Sequence, residues 1–342
     1  MREQSMVSRR RFLAGVGLGL ATVAVSPSFL VAANPARPLR LGSGKHTYEW
    51  VPNWAKLPSG VELSNCHGGI VIDSQNRILV NTDTDNAVMV FDADGKFVKG
   101  FGKDFKGGSH GMMIRKEGNQ EFLYLTHTAR HELIKITADG ELVWTRGYPT
   151  EPGVYTSANE YKPTGVAFAP NGDIFVTDGY GKYWVHHYNT EGDYIRSWGG
   201  AGSEPGKLNN PHGIWVDTRR KTPILVVADR GNKRLQTFTM EGKHIGFVTE
   251  DMRLPSNMDQ RGSDIVVADL DGKVTILDKE NKIITHLGDN TDPKKRGTNK
   301  IPSAEWTEGV FIAPHCPRWD KQGNLYIHEW SLAGRTIKLR RV

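Results

Sequence analysis

One unit, repeated six times, constrains the fold of this 342-residue chain more than any other feature. It opens with an apolar run after a glycine (x-G-h-h-h, where h is apolar) and continues with a second run ending V-x-D. A third run follows, closing on a turn such as F-D-x-x-G-K, and then a short fourth. The copies begin at His67, His110, Thr164, His212, about Ser256 and His315, at intervals of 43, 54, 48, 44 and 59 residues. Each holds about four short alternating strands separated by Gly, Asp and Asn turns, the chemistry of an antiparallel meander. Four-stranded units recurring every 40 to 50 residues or so are the blades of a propeller. The chain is therefore expected to be all-β, one six-bladed β-propeller over residues 34–342. A sandwich of unrelated strands does not account for six units in one phase. The last unit reaches Val342 after its third strand, so its fourth must come from elsewhere. The stretch HTYEWVP, His46 to Pro52, is the natural donor, closing the ring with an N-terminal strand.

The first 33 residues read as an export signal. Arg9, Arg10 and Arg11 precede FLAGVGLGLATVAV, a mildly apolar run of 14 residues that is short for a membrane span. Paired arginines ahead of such a run resemble a twin-arginine signal, read by a translocase that exports folded proteins. The mature chain is expected to be periplasmic or secreted, without an integral membrane span. Loss of Arg2, Glu3, Arg9, Arg10 and Arg11 would lower the formal charge from +6 to +3. The remaining basic residues form no stripe interleaved with aromatics, so nucleic acid is not an expected partner.

In a propeller the first strand of each blade lines the central channel, so residues of equal phase stand at one height around the axis. Blades of a six-membered ring lie about 60° apart, which places His110, His212 and His315, on alternate blades, about 120° apart. Three neutral imidazoles with a fourth direction open are the ligand set of catalytic zinc. An isolated histidine in such a turn is more often a strand cap than a ligand; three at alternate blades read as a metal cradle. His67, in blade one, is a fourth channel candidate, as a ligand, a substrate contact or a partner of a ligand.

The loop after each second strand overlooks that cradle. In blade three it reads VTDGYGKYW, placing Tyr180 after Asp178, and in blade four VADRGNKR, placing Arg230 after Asp229. The recurring Asp83, Asp178, Asp229 and Asp269 are read as structural, each accepting from turn amides of its own blade. The two cysteines, Cys66 and Cys316, sit beside phase histidines in the adjoining blades one and six. In an oxidising compartment a disulfide stapling the closure is expected; the alternative is a thiolate joining the metal site.

Between Lys162 and Phe238, the runs KPTGVAF, VTDGYGKYW, GDYIRSWG, GKLNNPHGIWVD and VADRGNKRLQTF resemble the catalytic domain of peptidyl-α-hydroxyglycine α-amidating lyases. The resemblance implies a six-bladed propeller with zinc on His110, His212 and His315 and a carbon–nitrogen lyase acting on a small-molecule or peptide carbinolamide. The products would be an amide and glyoxylate. Tyr180 as phenolate would take the hydroxyl proton. A free phenol has a pKa of about 10, so zinc and Arg230 would have to lower it. Arg230 would also neutralise developing negative charge. The family carries an aspartate after its last zinc ligand that serves a calcium site; Cys316 stands there, which argues against calcium. Two other readings differ in class: a non-enzymatic NHL propeller binding a protein or glycan outside the cytoplasm, and a lactonase-like hydrolase, which would use a carboxylate-lined calcium centre in place of imidazoles.

Overall fold

Turn chemistry cuts the chain into strands of four to nine residues, apart from the three-residue strand Ile70–Ile72. In the computed structural model, which describes residues 37–342, the hairpin between third and fourth strands recurs with one design. Gly95, Gly140, Gly192 and Gly242, and Asn281 in blade five, take φ of 83°, 99°, 85°, 88° and 61°. Each donates its backbone N–H three residues back, to Asp92, Thr137, Asn189, Thr239 and Asp278. Only glycine enters that left-handed region freely, with asparagine next, so the G and N of the repeat are fixed by backbone sterics. The expected signal over residues 1–33 lies outside the described residues.

The strands form six antiparallel sheets. Five have four strands in chain order, and the sixth has five, ordered Arg40–Ser43, His46–Val51, Arg335–Arg341, Leu325–Glu329, Pro314–Trp319. The protein is a six-bladed β-propeller. His46–Val51 supplies the missing fourth strand of blade six, pairing Tyr48 with Arg341 and Trp50 with Leu339, and Arg40–Ser43 adds a further edge strand outside it. Among the described residues no helix is long and apolar enough to cross a membrane.

The hydrophobic core is divided among the seams between blades. Val71, Leu79, Val88 and Val90 of blade one pack on Met112, Leu123, Leu125, Ile134 and Ile136 of blade two. At the closure Tyr48, Trp50, Ile337 and Leu339 pack on Val266, Val274, Ile276 and Leu287 of blade five. Fully burying each such side chain contributes about 1.5–3 kcal/mol, so alternation along every strand holds both faces of each blade.

The channel itself explains the glycine that follows the phase residue. A Cβ on Gly111 would lie 2.5 Å from the Thr164 carbonyl oxygen, one on Gly165 2.8 Å from that of His212, and one on Gly213 2.4 Å from that of Ser256. In blades two, three and four the inner strands therefore approach one another too closely for a side chain at that position, whereas Asn257 and Cys316 occupy it in blades five and six. Immediately around it, the pairing of first and second strands is irregular in blades two, four, five and six, between Ser109 and Met112, Pro211 and Ile214, Pro255 and Asn257, and Pro314 and Cys316. Such irregularities re-aim a side chain, and here they turn the phase residue out of the ladder.

Candidate metal centre

The re-aimed residues include three buried histidines, one each from inner strands Ser109–Glu117, Pro211–Asp217 and Pro314–Trp319. One ring nitrogen from each of His110, His212 and His315 lies within 4.8 Å of the others, and ring centroids are 4.5–5.0 Å apart. Each Nδ1 is directed at the phase residue of the next blade. That of His110 donates to the Thr164 carbonyl at 2.8 Å, and that of His212 to the Ser256 carbonyl at 3.0 Å. In blade six His315 packs its Nδ1 against Gly68, where a Cβ would come within 2.3 Å. Backbone carbonyls thus fix the tautomer and free Nε2 of His110 and His212 to face inward, the arrangement that metal-ligating histidines use.

Burial keeps the three imidazoles neutral. It is the leading cause that lowers His110 to about 3, with His67 and Arg230 adding repulsion, and it holds His212 and His315 well below the ordinary histidine range. Neutral imidazoles with free inward lone pairs fit a divalent metal with nitrogen preference, and zinc among them. Carboxylates are absent from the cluster, so its donor set does not suit calcium.

Over the cluster stand the two second-strand loops. The Tyr180 hydroxyl lies 3.2 Å from His110 Nε2 and 3.1 Å from His212 Nε2, and it accepts from Arg230 Nη2 at 3.3 Å. The Arg230 guanidinium sits 5.4 Å above the Tyr180 ring. Tyr180 is 37% exposed and lines an outer depression of about 490 Å³ with Thr128, His131, Asn159 and Lys162. The other end of the channel is filled. Arg318 crosses from blade six, donating to the Met258 carbonyl at 2.8 Å and lying 5.6 Å from the Trp215 ring, with Met113 and Asp259 beside it.

All five residues singled out for metal and chemistry are brought together. Asn210 escaped the sequence reading. It sits left-handed at φ 55°, accepts Arg230 Nε on Oδ1 at 2.8 Å, and donates Nδ2 to the Gly179 carbonyl at 2.9 Å. One side chain therefore ties the arginine loop to the tyrosine loop. Its only signal was an asparagine ahead of Pro-His, a position where a left-handed backbone is needed.

Three expectations are corrected. His67 is not in phase with the other histidines. Gly69 N donates to Asn81 Oδ1, as Gly111 N donates to Thr126 Oγ1, and a Cβ on Gly69 would meet the His110 carbonyl at 2.9 Å. Gly68 is therefore the phase residue of blade one, and the doubled glycine displaces His67 outward by one. Asp83 slips likewise. Asp178 accepts from the Lys162 and Lys182 amides, Asp229 from the Asn209 amide and Asp269 from the Arg253 and Leu254 amides, as expected. Their counterpart in blade one is Thr82, whose N–H bonds the Ala87 carbonyl as that of Asp178 bonds Trp184. Asp83, one residue on, faces His67 instead.

The expected disulfide is absent: Cys66 and Cys316 are free, buried thiols. Both lie in the blade-one core beside Ile70, Val80 and Tyr326, where burial pushes each thiol upward and neither becomes a thiolate ligand.

No protein-family profile matches this chain. Over 158 residues it is 33% identical to peptidyl-α-hydroxyglycine α-amidating lyase 1 of Drosophila melanogaster, covering 43% of this chain and 28% of that one. Over 248 residues it is 25% identical to human NHL repeat-containing protein 3, covering 68% of this chain and 70% of that one. The chain spans only 18–28% of the length of the amidating enzymes of mouse, fly and rat that it matches. Among solved structures, a catalytically inactive virginiamycin B lyase from Staphylococcus aureus with quinupristin superposes with a TM-score of 0.56 at 16% identity, covering 86% of this chain and 98% of that one, which shows a common fold. The chain is thus a six-bladed propeller with a buried three-histidine centre. In sequence it is similar to peptidyl-α-hydroxyglycine α-amidating lyases and to NHL-repeat proteins.

Proposed function

We propose that this propeller is a zinc-dependent carbon–nitrogen lyase that cleaves a carbinolamide, R–CO–NH–CH(OH)–COO⁻, to R–CO–NH₂ and glyoxylate. The observation that carries this reading is the Tyr180 hydroxyl, held within 3.3 Å of two cluster nitrogens and a guanidinium at the open face of the channel. His110, His212 and His315 would hold the metal, and its chemistry there is to polarise a substrate oxygen and favour loss of its proton. Tyr180 takes the hydroxyl proton. The C–N bond breaks as the C=O bond forms, its electron pair passing to nitrogen, which receives from Tyr180 the proton taken from the hydroxyl and leaves as the amide. Arg230, fixed by Asn210, stands where it neutralises the tyrosine oxygen and the glycolate carboxylate.

The reading extends to location: residues 1–33 act as a twin-arginine signal and deliver the folded chain to the periplasm or beyond. The broader match to NHL repeat-containing protein 3 favours a second reading, a propeller that binds a protein or glycan through its loops without chemistry. Incubating purified exported protein with N-benzoyl-α-hydroxyglycine separates the two. About one zinc per chain with glyoxylate release supports the lyase. Zinc-loaded protein that releases none across several acyl groups excludes it, and protein without stoichiometric metal supports the second reading.

A further inference from the structure

The one-residue slip in blade one produces an arrangement that no other blade has. His67 and Asp83, displaced in opposite directions from phase, meet at the channel mouth: His67 Nε2 donates to Asp83 Oδ2 at 2.9 Å, and Asn65 Nδ2, which lies 3.1 Å from His67 Nε2, donates to the same carboxylate oxygen at 2.6 Å. A carboxylate only accepts, so the hydrogen of a neutral His67 resides on Nε2 and Nδ1 presents a lone pair. This is the reverse of the cluster histidines, whose Nδ1 atoms face the backbone of the next blade. No described residue bonds His67 Nδ1, and the side chain keeps 31% of its surface open. Its ring centroid is 6.1 Å from that of His110, while Tyr180, 5.1 Å from the same ring, arrives from blade three. His67 and Tyr180 therefore come from the two blades that neighbour the one carrying His110.

We propose that His67 is a specificity-determining residue whose Nδ1 accepts the amide N–H of the substrate, with Asp83 and Asn65 as positioning residues that set its tautomer. The inference rests on the reading of this centre as a site for N-acyl glycolate-type ligands. It follows from complementarity. A carbinolamide that offers its hydroxyl to Tyr180 and its carboxylate to Arg230 has one polar hydrogen left, on the scissile nitrogen. On the blade-one side of the mouth, His67 Nδ1 is an exposed acceptor without a partner among the described residues. A bond there orients the C–N bond and discriminates amides from esters of the same shape, because the ester leaves the acceptor unpaired.

Binding alone tests it. Zinc-loaded wild type, His67→Ala and Asp83→Asn are titrated calorimetrically with N-benzoylglycine and with O-benzoylglycolate, which replaces N–H by oxygen. Wild type is expected to prefer the amide by about fivefold to tenfold, the worth of one net hydrogen bond. In His67→Ala the preference falls to within twofold. In Asp83→Asn it falls likewise, because the asparagine amide donates to Nε2 and moves the hydrogen to Nδ1, a change that ¹⁵N shifts of His67 read directly. Zinc content stays at the wild-type value in both. An unchanged preference in His67→Ala, loss of zinc from it, or a wild type that binds neither ligand would overturn the inference. Turnover of N-benzoyl-α-hydroxyglycine is followed in parallel. A wild type that shows the His67-dependent preference without glyoxylate release keeps this inference and loses the reaction; glyoxylate release with a preference indifferent to His67 does the opposite.

Discussion

Asn210 Oδ1 accepts Arg230 Nε at 2.8 Å, and this single bond determines where the guanidinium ends over the histidine cluster. The same amide also holds the Gly179 carbonyl, next to Tyr180. Asn210→Asp keeps an acceptor and tolerates the left-handed backbone but loses the donor, whereas Asn210→Ala loses both and strains the backbone at φ 55°. Glyoxylate release by Asn210→Ala should fall at least tenfold, since hydrogen bonds to charged groups are worth about 1.5–3 kcal/mol. Asn210→Asp should fall less, with zinc content unchanged in both by elemental analysis.

Removing the Tyr180 hydroxyl takes away the group that meets His110, His212 and Arg230 together. Tyr180→Phe should lose about a hundredfold or more in kcat while retaining zinc, in keeping with the contribution of a positioned proton acceptor. His212→Ala should instead lose the metal. A Tyr180→Phe enzyme with wild-type kcat would remove Tyr180 from the chemistry.

The glycine after the phase residue in blades one to four makes a packing prediction independent of catalysis. A methyl on Gly213 would stand 2.4 Å from the Ser256 carbonyl oxygen, the group that holds His212 Nδ1. Gly213→Ala should cost about 1–3 kcal/mol in thermal unfolding and weaken metal retention; Gly147→Ala, where nothing lies within 4 Å, should leave both unchanged.

Buried neutral histidines away from the centre set an acid limit. Burial lowers His186 to about 3 and His328 to about 4; His328 donates Nε2–H to the Asn81 carbonyl and accepts from Thr336 on Nδ1. Their folded values lie below the unfolded value of about 6.5, so the unfolded chain binds more protons across that interval. The stability they give is complete above pH 6.5 or so and drains as pH falls towards their folded values. Asp178, Asp259 and Asp269, raised by burial, act in the opposite sense at the acid end. Metal-free protein should therefore show a falling Tm from pH 7 to 4, measured by circular dichroism, and His328→Asn should flatten that fall.

Thiol titration tests the corrected cysteine assignment. Native protein should show no reactive thiol towards an aromatic disulfide reagent, and guanidinium-unfolded protein two per chain, matching the free, buried Cys66 and Cys316. None after unfolding would restore the disulfide.

The ring was legible because glycine and asparagine sit where backbone geometry leaves no alternative, and five of the six blades repeat them. His110, His212 and His315 followed from phase alone, and Tyr180 and Arg230 from the loop each second strand must feed. Blade one was misread for an equally physical reason. NTD at residues 81–83 looks like VTD at 176–178, and HGG at 67–69 contains HG, but a slip of one residue sends a side chain to the opposite face of a strand. The cysteines misled because neighbouring blades do not guarantee facing Cβ vectors. Asn210 carries its role in a backbone angle, which composition does not display.

The pairing of His46–Val51 with Arg335–Arg341 imposes an order of events on biosynthesis. The strand that locks the ring is among the first made, its partner is among the last, and His315 is itself made late. Until Arg335–Arg341 has been made, neither the circle nor the three-cornered centre exists. Five blades can pair their own strands as they appear, but metal acquisition belongs to the last step, when the two distant strands meet.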